Sequence, residues 1–276
     1  MINATGNQLT MEIRRQGSLA DAISRSQINI STGKKIQMAS DDPVAAARVA
    51  TIERAQANDE TWQSNLNLGL SLANQADDVL STLNDRLVRV QELMIAGANG
   101  TLSDDDRTTY AVEIAGIADE IDSYMGTKSS LGEPLFAAAN EREMRFNESA
   151  VFAPVPSRDD VFGTGANILG QIVRDAANAI ATGNDATLSS SLDAVQDTIG
   201  RVADRSADIG VRASRMDSLR ETMEARAIDY AAERSGLEDT NLAEAIARLN
   251  AETITLEAAQ AAFARINQRT LFDILS

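Results

Sequence analysis

Apolar residues recur every three or four positions along most of this chain, which is the period of one face of an α-helix. Two segments of similar length, 43–96 and 185–234, carry the most regular stripes. At 1.5 Å per residue, each predicted helix would be roughly 75–80 Å long. Two helices of nearly equal length, one from each half of the chain, predict an antiparallel bundle.

Turn and capping residues separate the predicted helices. A first helix over 7–30 should end at Thr32-Gly33, and Asp42-Pro43 is typical of an N-cap and first helical position. The second helix should end at Asn99-Gly100, and Ser103 with Asp106 resembles a capping box that opens a third helix closed by Gly126. Shorter helical periodicity returns at about 166–181, and Ser235-Gly236 should end the second long helix.

Residues 126–165 lack helical periodicity. This segment contains Pro134, Pro154 and Pro156, and short alternating runs occur at Met144–Phe146 and Val151–Ala153. These runs predict a small β-hairpin or a compact irregular insert. The fold class is therefore predicted to be mainly α: a long antiparallel helical bundle or coiled-coil rod with a small β-containing or irregular insert.

Each end of the chain carries a narrow apolar stripe at alternating spacings of four and three. Such a stripe suits a coiled-coil seam and builds no core until a partner helix covers it. The C-terminal run Leu271–Leu275 would also be a liability in a monomer. The predicted assembly interface consists of apolar side chains from both ends: Leu9, Ile13, Ile23, Ile30, Leu242, Ile246, Leu249, Leu256, Phe263, Ile266, Leu271, Phe272 and Leu275.

Two glutamines, Gln16 and Gln27, fall within the N-terminal stripe. They could be buried amides that set the register of packed helices, as in some coiled coils, or the stripe could be solvated there.

The composition favours an assembly protein over an enzyme. The 276 residues include no histidine and no cysteine, which removes the commonest general base, the commonest zinc ligands and the thiol nucleophile. Net charge is −16, which argues against binding to nucleic acid or anionic membranes. No apolar run approaches the ~20 residues that cross a bilayer, and the N-terminus lacks the apolar core of a secretory signal peptide.

Candidate chemical sites have simpler interpretations. The acidic clusters at 41–42, 77–78, 104–106 and 159–160 lack the spacing of a calcium loop and are interpreted as helix caps and solvated faces. Gly163-Thr164-Gly165 lacks the further residues of a phosphate loop and predicts a turn. Lys34-Lys35 could contact an acidic neighbouring subunit or a helix C-terminus. No catalytic, cofactor or metal site is predicted.

Three stretches resemble a known family. Residues 30–46 read ISTGKKIQMASDDPVAA, residues 99–107 read NGTLSDDDR, and residues 237–275 end in TLFDIL. Together they resemble the bacterial flagellin superfamily, and most closely its hook–filament junction branch, over about residues 1–125 and 180–276. The short chain and small insert keep a short flagellin as the alternative.

The resemblance implies three parts. Terminal helices at 1–40 and 240–276 would be disordered in the monomer and ordered on assembly, 41–125 and 166–239 would form a helical rod, and 126–165 would form the insert. It also implies a structural adaptor with axial partners, namely another hook-associated protein, flagellin and copies of the chain itself.

The same resemblance implies a location and an export route. The protein would reach the flagellum outside the cell by type III export without a cleaved signal peptide, and a cytoplasmic chaperone would hold its C-terminus. A cytoplasmic coiled-coil module is a weaker alternative, distinguished by termini that fold without partners.

Overall fold

The computed structural model describes the backbone at residues 2–99 and 102–275 and the side chains at 10–99 and 102–265. Within these ranges the fold is mainly α, as predicted. The elements in chain order are α1 (Ile2–Thr32), α2 (Pro43–Gly97), α3 (Asp104–Met125), β1 (Met144–Arg145), β2 (Val151–Phe152), α4 (Arg158–Phe162), α5 (Leu169–Thr182), α6 (Asp185–Glu238) and α7 (Leu242–Leu275), with a 3-10 turn at Gly165–Asn167.

The predicted starts of α2 and α3 are confirmed by their capping geometry, whereas α1 begins at Ile2, before the predicted residue 7. Asp42 Oδ1 accepts hydrogen bonds from the backbone N–H groups of Val44 and Ala45 at 3.1 and 3.0 Å. Ser103 Oγ accepts from the N–H of Asp106 at 3.2 Å and donates to its carboxylate at 2.7 Å. Both caps satisfy N–H groups that a helix cannot pair internally.

Helix α2 ends at Gly97, one residue beyond the predicted segment 43–96, and the predicted cap at Gly100 lies outside the described residues. One predicted helix end is wrong. Helix α6 runs through Ser235-Gly236 to Glu238. One glycine costs a helix interior only about 1 kcal/mol, and the ion pair of Arg234 with Glu238 spans this turn at 3.2 Å.

The chain divides into two compact units. The terminal unit contains Met1–Gln56 and Ala227–Ser276, and the core unit contains Ala57–Arg226.

Within the core unit, α2 and α6 run antiparallel. Asp59 contacts Arg226 at 3.5 Å, Gly69 lies beside Met216, and Ser206 donates to Asp77 at 2.7 Å. The position on α6 falls as the position on α2 rises, which confirms the predicted antiparallel pairing of the two long helices.

The two strands of the insert pair antiparallel, with Met144 opposite Phe152 and Arg145 opposite Val151. The rings of Phe146 and Phe152 lie 4.6 Å apart, and Phe136 meets Phe162 edge-on at 5.4 Å. The predicted hairpin is therefore confirmed, and its aromatic side chains join the core of the unit. The short helix α4 was not predicted.

Helices α3 and α5 pack closely in the same unit. Gly170 of α5 lies so near Asp122 of α3 that a Cβ would meet the carboxylate oxygen at 2.0 Å. Arg174 then pairs with Asp119 at 3.2 Å and with Asp122. The glycine permits the close approach, and the arginine bridges it.

Candidate assembly surface

A ten-residue loop connects α1 to α2 in the terminal unit. It begins at Gly33, whose φ of 71° lies in the left-handed region that favours glycine. Thr32 Oγ1 accepts from Gln37 Nε2 at 2.6 Å, and Asp41 Oδ2 accepts the backbone N–H groups of Gln37 and Met38 at 3.0 and 2.9 Å. These hydrogen bonds hold the pKa of Asp41 below its usual value. Thr32 belongs to the STGK segment and Asp41 to the SDDP segment, so both segments stabilise the conformation of this loop through these hydrogen bonds.

Backbone hydrogen bonds bind this loop to the last residue of α6 and to the segment that follows it. Lys35 N donates to Glu238 O at 2.7 Å, and Thr240 N donates to Gly33 O at 2.8 Å. We call residues 33–35 with 236–240 the clasp. It fixes the C-terminal end of α1 beside the N-terminal end of α7.

Ion pairs reinforce the clasp. Lys34 Nζ lies 2.8 Å from Glu238 Oε2, and Arg234 Nε lies 3.2 Å from the same oxygen. The hydrogen bond from Lys34 is the largest influence that lowers the pKa of Glu238 below its ordinary 4.5. Lys35 Nζ donates to Gly236 O at 2.9 Å, so both lysines bind the C-terminal end of α6.

A bidentate pair lies next to the clasp in the terminal unit. Arg48 Nε and Nη2 donate to the two carboxylate oxygens of Glu233 at 2.5 and 2.8 Å. This hydrogen bonding lowers the pKa of Glu233 from its ordinary 4.5.

Helices α1 and α7 pack against each other along a seam of mixed polarity. Ser26 is buried and donates to Glu252 Oε2 at 2.9 Å. Gln16 is half-buried, and its Nε2 has no hydrogen-bond partner. We call this contact the terminal seam; the half-buried or buried residues described in its two helices are Glu12, Gln16, Leu19, Ala22, Ile23, Ser26, Asn29 and Ile30 of α1 and Ala245, Leu249, Glu252, Thr253, Leu256, Ala259 and Phe263 of α7.

The predicted interface residues fall into three groups. Ile23, Ile30, Leu249, Leu256 and Phe263 are half-buried in the terminal seam. The second group faces solvent: Ile13 is 56% exposed, Leu242 49% and Ile246 48%. The side chains of the third group lie outside the described residues: Leu9, Ile266, Leu271, Phe272 and Leu275.

The polar seam members Glu12, Ser26 and Glu252 lie outside the predicted apolar stripes, whereas Gln16 falls within one. Gln27 also falls within the N-terminal stripe, but it faces solvent. The heptad spacing of Glu12, Leu19 and Ser26 is visible in the sequence, but it carries no hydrophobic signal.

The terminal unit buries little apolar surface. Among its described residues, the buried hydrophobic side chains are Ala45, Val49 and Ile52, all on α2. Large apolar side chains of α1 and α7 instead face solvent, including Met11, Ile13, Ile28, Ile246 and Ile254. Exposed apolar patches mark interaction sites, so these side chains are candidates for contact with another chain.

Three of the four acidic clusters serve as helix caps and loop anchors, whereas Asp77 and Asp78 lie within α2. Asp42 caps α2, Asp106 belongs to the capping box of α3, and Asp160 takes the equivalent position at α4. In the described part of the chain, no group of three or more potential ligands could hold a metal ion. No described helix is long and apolar enough to cross a membrane.

Comparison with known proteins gives two family matches. The bacterial flagellin N-terminal helical region matches residues 2–141, and the bacterial flagellin C-terminal helical region matches residues 192–275. These matches include both α1 and α7.

Individual relatives are flagellar proteins. Flagellar hook-associated protein 3 of Escherichia coli is 31% identical over 43% of this chain and 38% of its own length, so less than half of that relative is matched. A flagellin of Listeria monocytogenes is 21% identical over 94% of this chain and 92% of its own length.

A solved structure shares the fold. The flagellar junction protein of Legionella pneumophila aligns with a TM-score of 0.59 and 15% identity over 70% of this chain and all of that structure. The N-terminal family match alone spans half of the sequence, and the C-terminal match covers the second partner of the terminal seam. The chain belongs to the bacterial flagellin family.

Proposed function

We propose that this chain is a structural adaptor of the bacterial flagellum. It joins the hook, through another hook-associated protein, to the flagellin filament. It assembles through α1 and α7, whose outer apolar faces pack against axial neighbours.

The observation that carries the proposal is the exposed apolar surface of the terminal unit. Ile13 is 56% exposed, Leu242 49% and Ile246 48%, so about half of each side chain is left for a further chain to cover. A narrow apolar face on a long helix is the form in which helices bind other helices.

The junction assignment is supported by the kind of relatives. The E. coli relative at 31% identity is named a hook-associated protein, and the Legionella structure of similar fold is named a junction protein. The partners therefore include another hook-associated protein, flagellin and further copies of this chain.

We also propose export to the flagellum outside the cell without a cleaved signal peptide, with a cytoplasmic chaperone bound to the C-terminal segment.

A short flagellin is the second candidate. It is favoured by the Listeria flagellin, which aligns along nearly the whole of both chains, although at only 21% identity. In that case the same apolar faces would pack between filament subunits.

The test replaces the exposed apolar face in the full chain, as the only copy in the cell, by I13S/L242S/I246S. We expect a folded monomer that no longer joins the axial structure, because these side chains are about half exposed and little internal packing is lost. An adaptor predicts cells that build hooks and release flagellin into the medium. A filament subunit predicts that the hook keeps its junction proteins while filaments are short or absent.

The matched control is L131S, which replaces a side chain that is 63% exposed in the core unit. It should leave assembly normal. Normal filaments from the triple variant would refute both axial functions.

A further inference from the structure

Two arginines one turn apart on α6, Arg201 and Arg205, form no ion pair with any described carboxylate. Arg201 makes one side-chain hydrogen bond, from Nη2 to Thr198 Oγ1 at 3.2 Å. The Nε atom of Arg205 is buried and has no hydrogen-bond partner. Like charges spaced four residues apart repel on a helix, so the pair is unfavourable in the isolated chain.

The surroundings hold Arg201 in place without neutralising it. A Cβ built on Gly163, in the turn after α4, would meet Arg201 Nη1 at 3.0 Å, so the guanidinium lies against this backbone. Partial burial, followed by the positive charge of Arg205, lowers the pKa of Arg201, and Asp197 opposes this only as a through-space charge. The Arg201 guanidinium is therefore held in place, while some of its N–H groups have no described acceptor.

Most other arginines of the core unit have internal partners, and the exception is Arg107, whose Nε atom is also buried without one. Arg174 pairs with Asp122, Arg212 with Glu141 at 2.7 Å, and Arg226 with Asp59 at 3.5 Å. Arg215 lies over the ring of Phe152 at 4.3 Å. In a chain with 41 acidic and 25 basic residues, carboxylates for such pairing are abundant. An adjacent pair without one is therefore unusual here.

We propose that Arg201 and Arg205 form a receptor for carboxylate side chains of a second copy of this chain. The proposal rests on the proposed function, because it requires that copies assemble. Each copy has a net charge of −16, so copies repel one another and present a surplus of carboxylates. A contact between them needs positive groups without internal partners. The planar guanidinium group binds a carboxylate through two parallel hydrogen bonds.

The test uses R201K/R205K, which keeps both charges and introduces two amines. Assembled structures are isolated from cells in which this full chain is the only copy and are treated with a zero-length carbodiimide. We expect covalent dimers, with amide bonds that mass spectrometry maps from the introduced amines to carboxylates of another copy. The control is R86K/R89K, because Arg86 and Arg89 pair with Glu120 and Glu113 of the same chain at 2.9 and 2.8 Å. Its products should remain monomeric.

A second variant, R201Q/R205Q, measures the effect of the charges. We expect incorporation of the chain to fall about tenfold or more, the size of one desolvated charge contact. The melting temperature of the monomer should stay unchanged or rise, because the repulsion is removed.

Three outcomes would overturn the proposal. Normal assembly without dimers from the R201K/R205K variant refutes the receptor and leaves the adaptor function standing. Failure of the unaltered chain to assemble refutes both. A rise in monomer melting temperature with phosphate at constant ionic strength, lost in R201Q/R205Q, would identify a free anion as the occupant instead.

Discussion

At Gly69 of α2, a side chain from α6 meets a side chain from the insert. A Cβ on this residue would meet Met216 Sδ of α6 at 2.8 Å and the Phe146 ring at 2.9 Å. The absent side chain thus leaves the space that the ring after strand β1 occupies against α2. The lack of a side chain at Gly69 therefore permits the close packing of the hairpin against α2.

Gly69→Ala should therefore destabilise the core unit by about 1–3 kcal/mol, the usual cost of overpacking. Chemical denaturation of the full chain, followed by the fluorescence of Trp62, measures this. Gly116→Ala is the control, because Gly116 is an exposed helical glycine with nothing within 4 Å of its added Cβ. It should stabilise α3 by about 0.5–1 kcal/mol. Equal stability of the two variants would contradict the packing at Gly69.

Capping residues could be predicted because their effect is local. Asp42 and Ser103 act on N–H groups two or three residues away, and the structure confirms both. The role of Gly69 could not be predicted in this way, because it depends on Phe146 and Met216, which are far away in sequence. Arg48 and Glu233 were missed for the same reason.

At the scale of elements, the pairing of α1 with α7 depends on polar positions. The apolar stripes indicated that both helices need partners, but not that they contact each other through Ser26 and Glu252. Hydrophobic periodicity finds one face of a helix, whereas here each helix has apolar residues on two faces. The stripe of α1 was therefore assigned partly to a face that the structure leaves open.

Gln16 offers a direct test of the terminal seam. Its buried Nε2 lacks a partner, so Gln16→Leu should stabilise the α1–α7 pairing by about 1 kcal/mol. Amide exchange in α1 of the monomer should slow accordingly. Gln27→Leu, at an exposed position of the same helix, should leave exchange unchanged. Faster exchange in the Gln16 variant would mean that the amide is satisfied in solution.

The clasp should weaken in acid. The folded-state pKa values of Glu233 and Glu238 lie below their ordinary 4.5, so both contribute stability that is fully present above 4.5 and is lost as pH falls through the lowered values. The protection of the Lys35 and Thr240 amides, measured relative to the unfolded chain at the same pH, should fall as the pH drops below 4.5. Glu238→Gln should reduce this pH dependence, whereas Glu244→Gln, in an exposed pair with Arg248, should not. An unchanged profile in the Glu238 variant would exclude this carboxylate as the titrating group.

At the scale of the whole molecule, the two units differ in how much apolar surface they bury. The core unit contains the stripes of α2 and α6 together with the aromatic side chains of the insert. The terminal unit has a clasp, a partly polar seam and open apolar faces. The mainly α fold and the family could be predicted from helical periodicity and three motifs. The seam and the unpaired arginines could not, because both depend on which helix faces meet in three dimensions.

The central claim is that α1 and α7 are completed only by other chains. Hydrogen exchange of the full chain, compared between verified monomer and assembled flagellar structure, tests it most directly. We predict that amides at 10–40 and 240–265 exchange quickly in the monomer and slowly in the assembly, because a short, partly polar seam gives helices little protection. Amides buried within 57–226 should be slow in both states. Slow exchange throughout both terminal helices of the monomer would contradict the account.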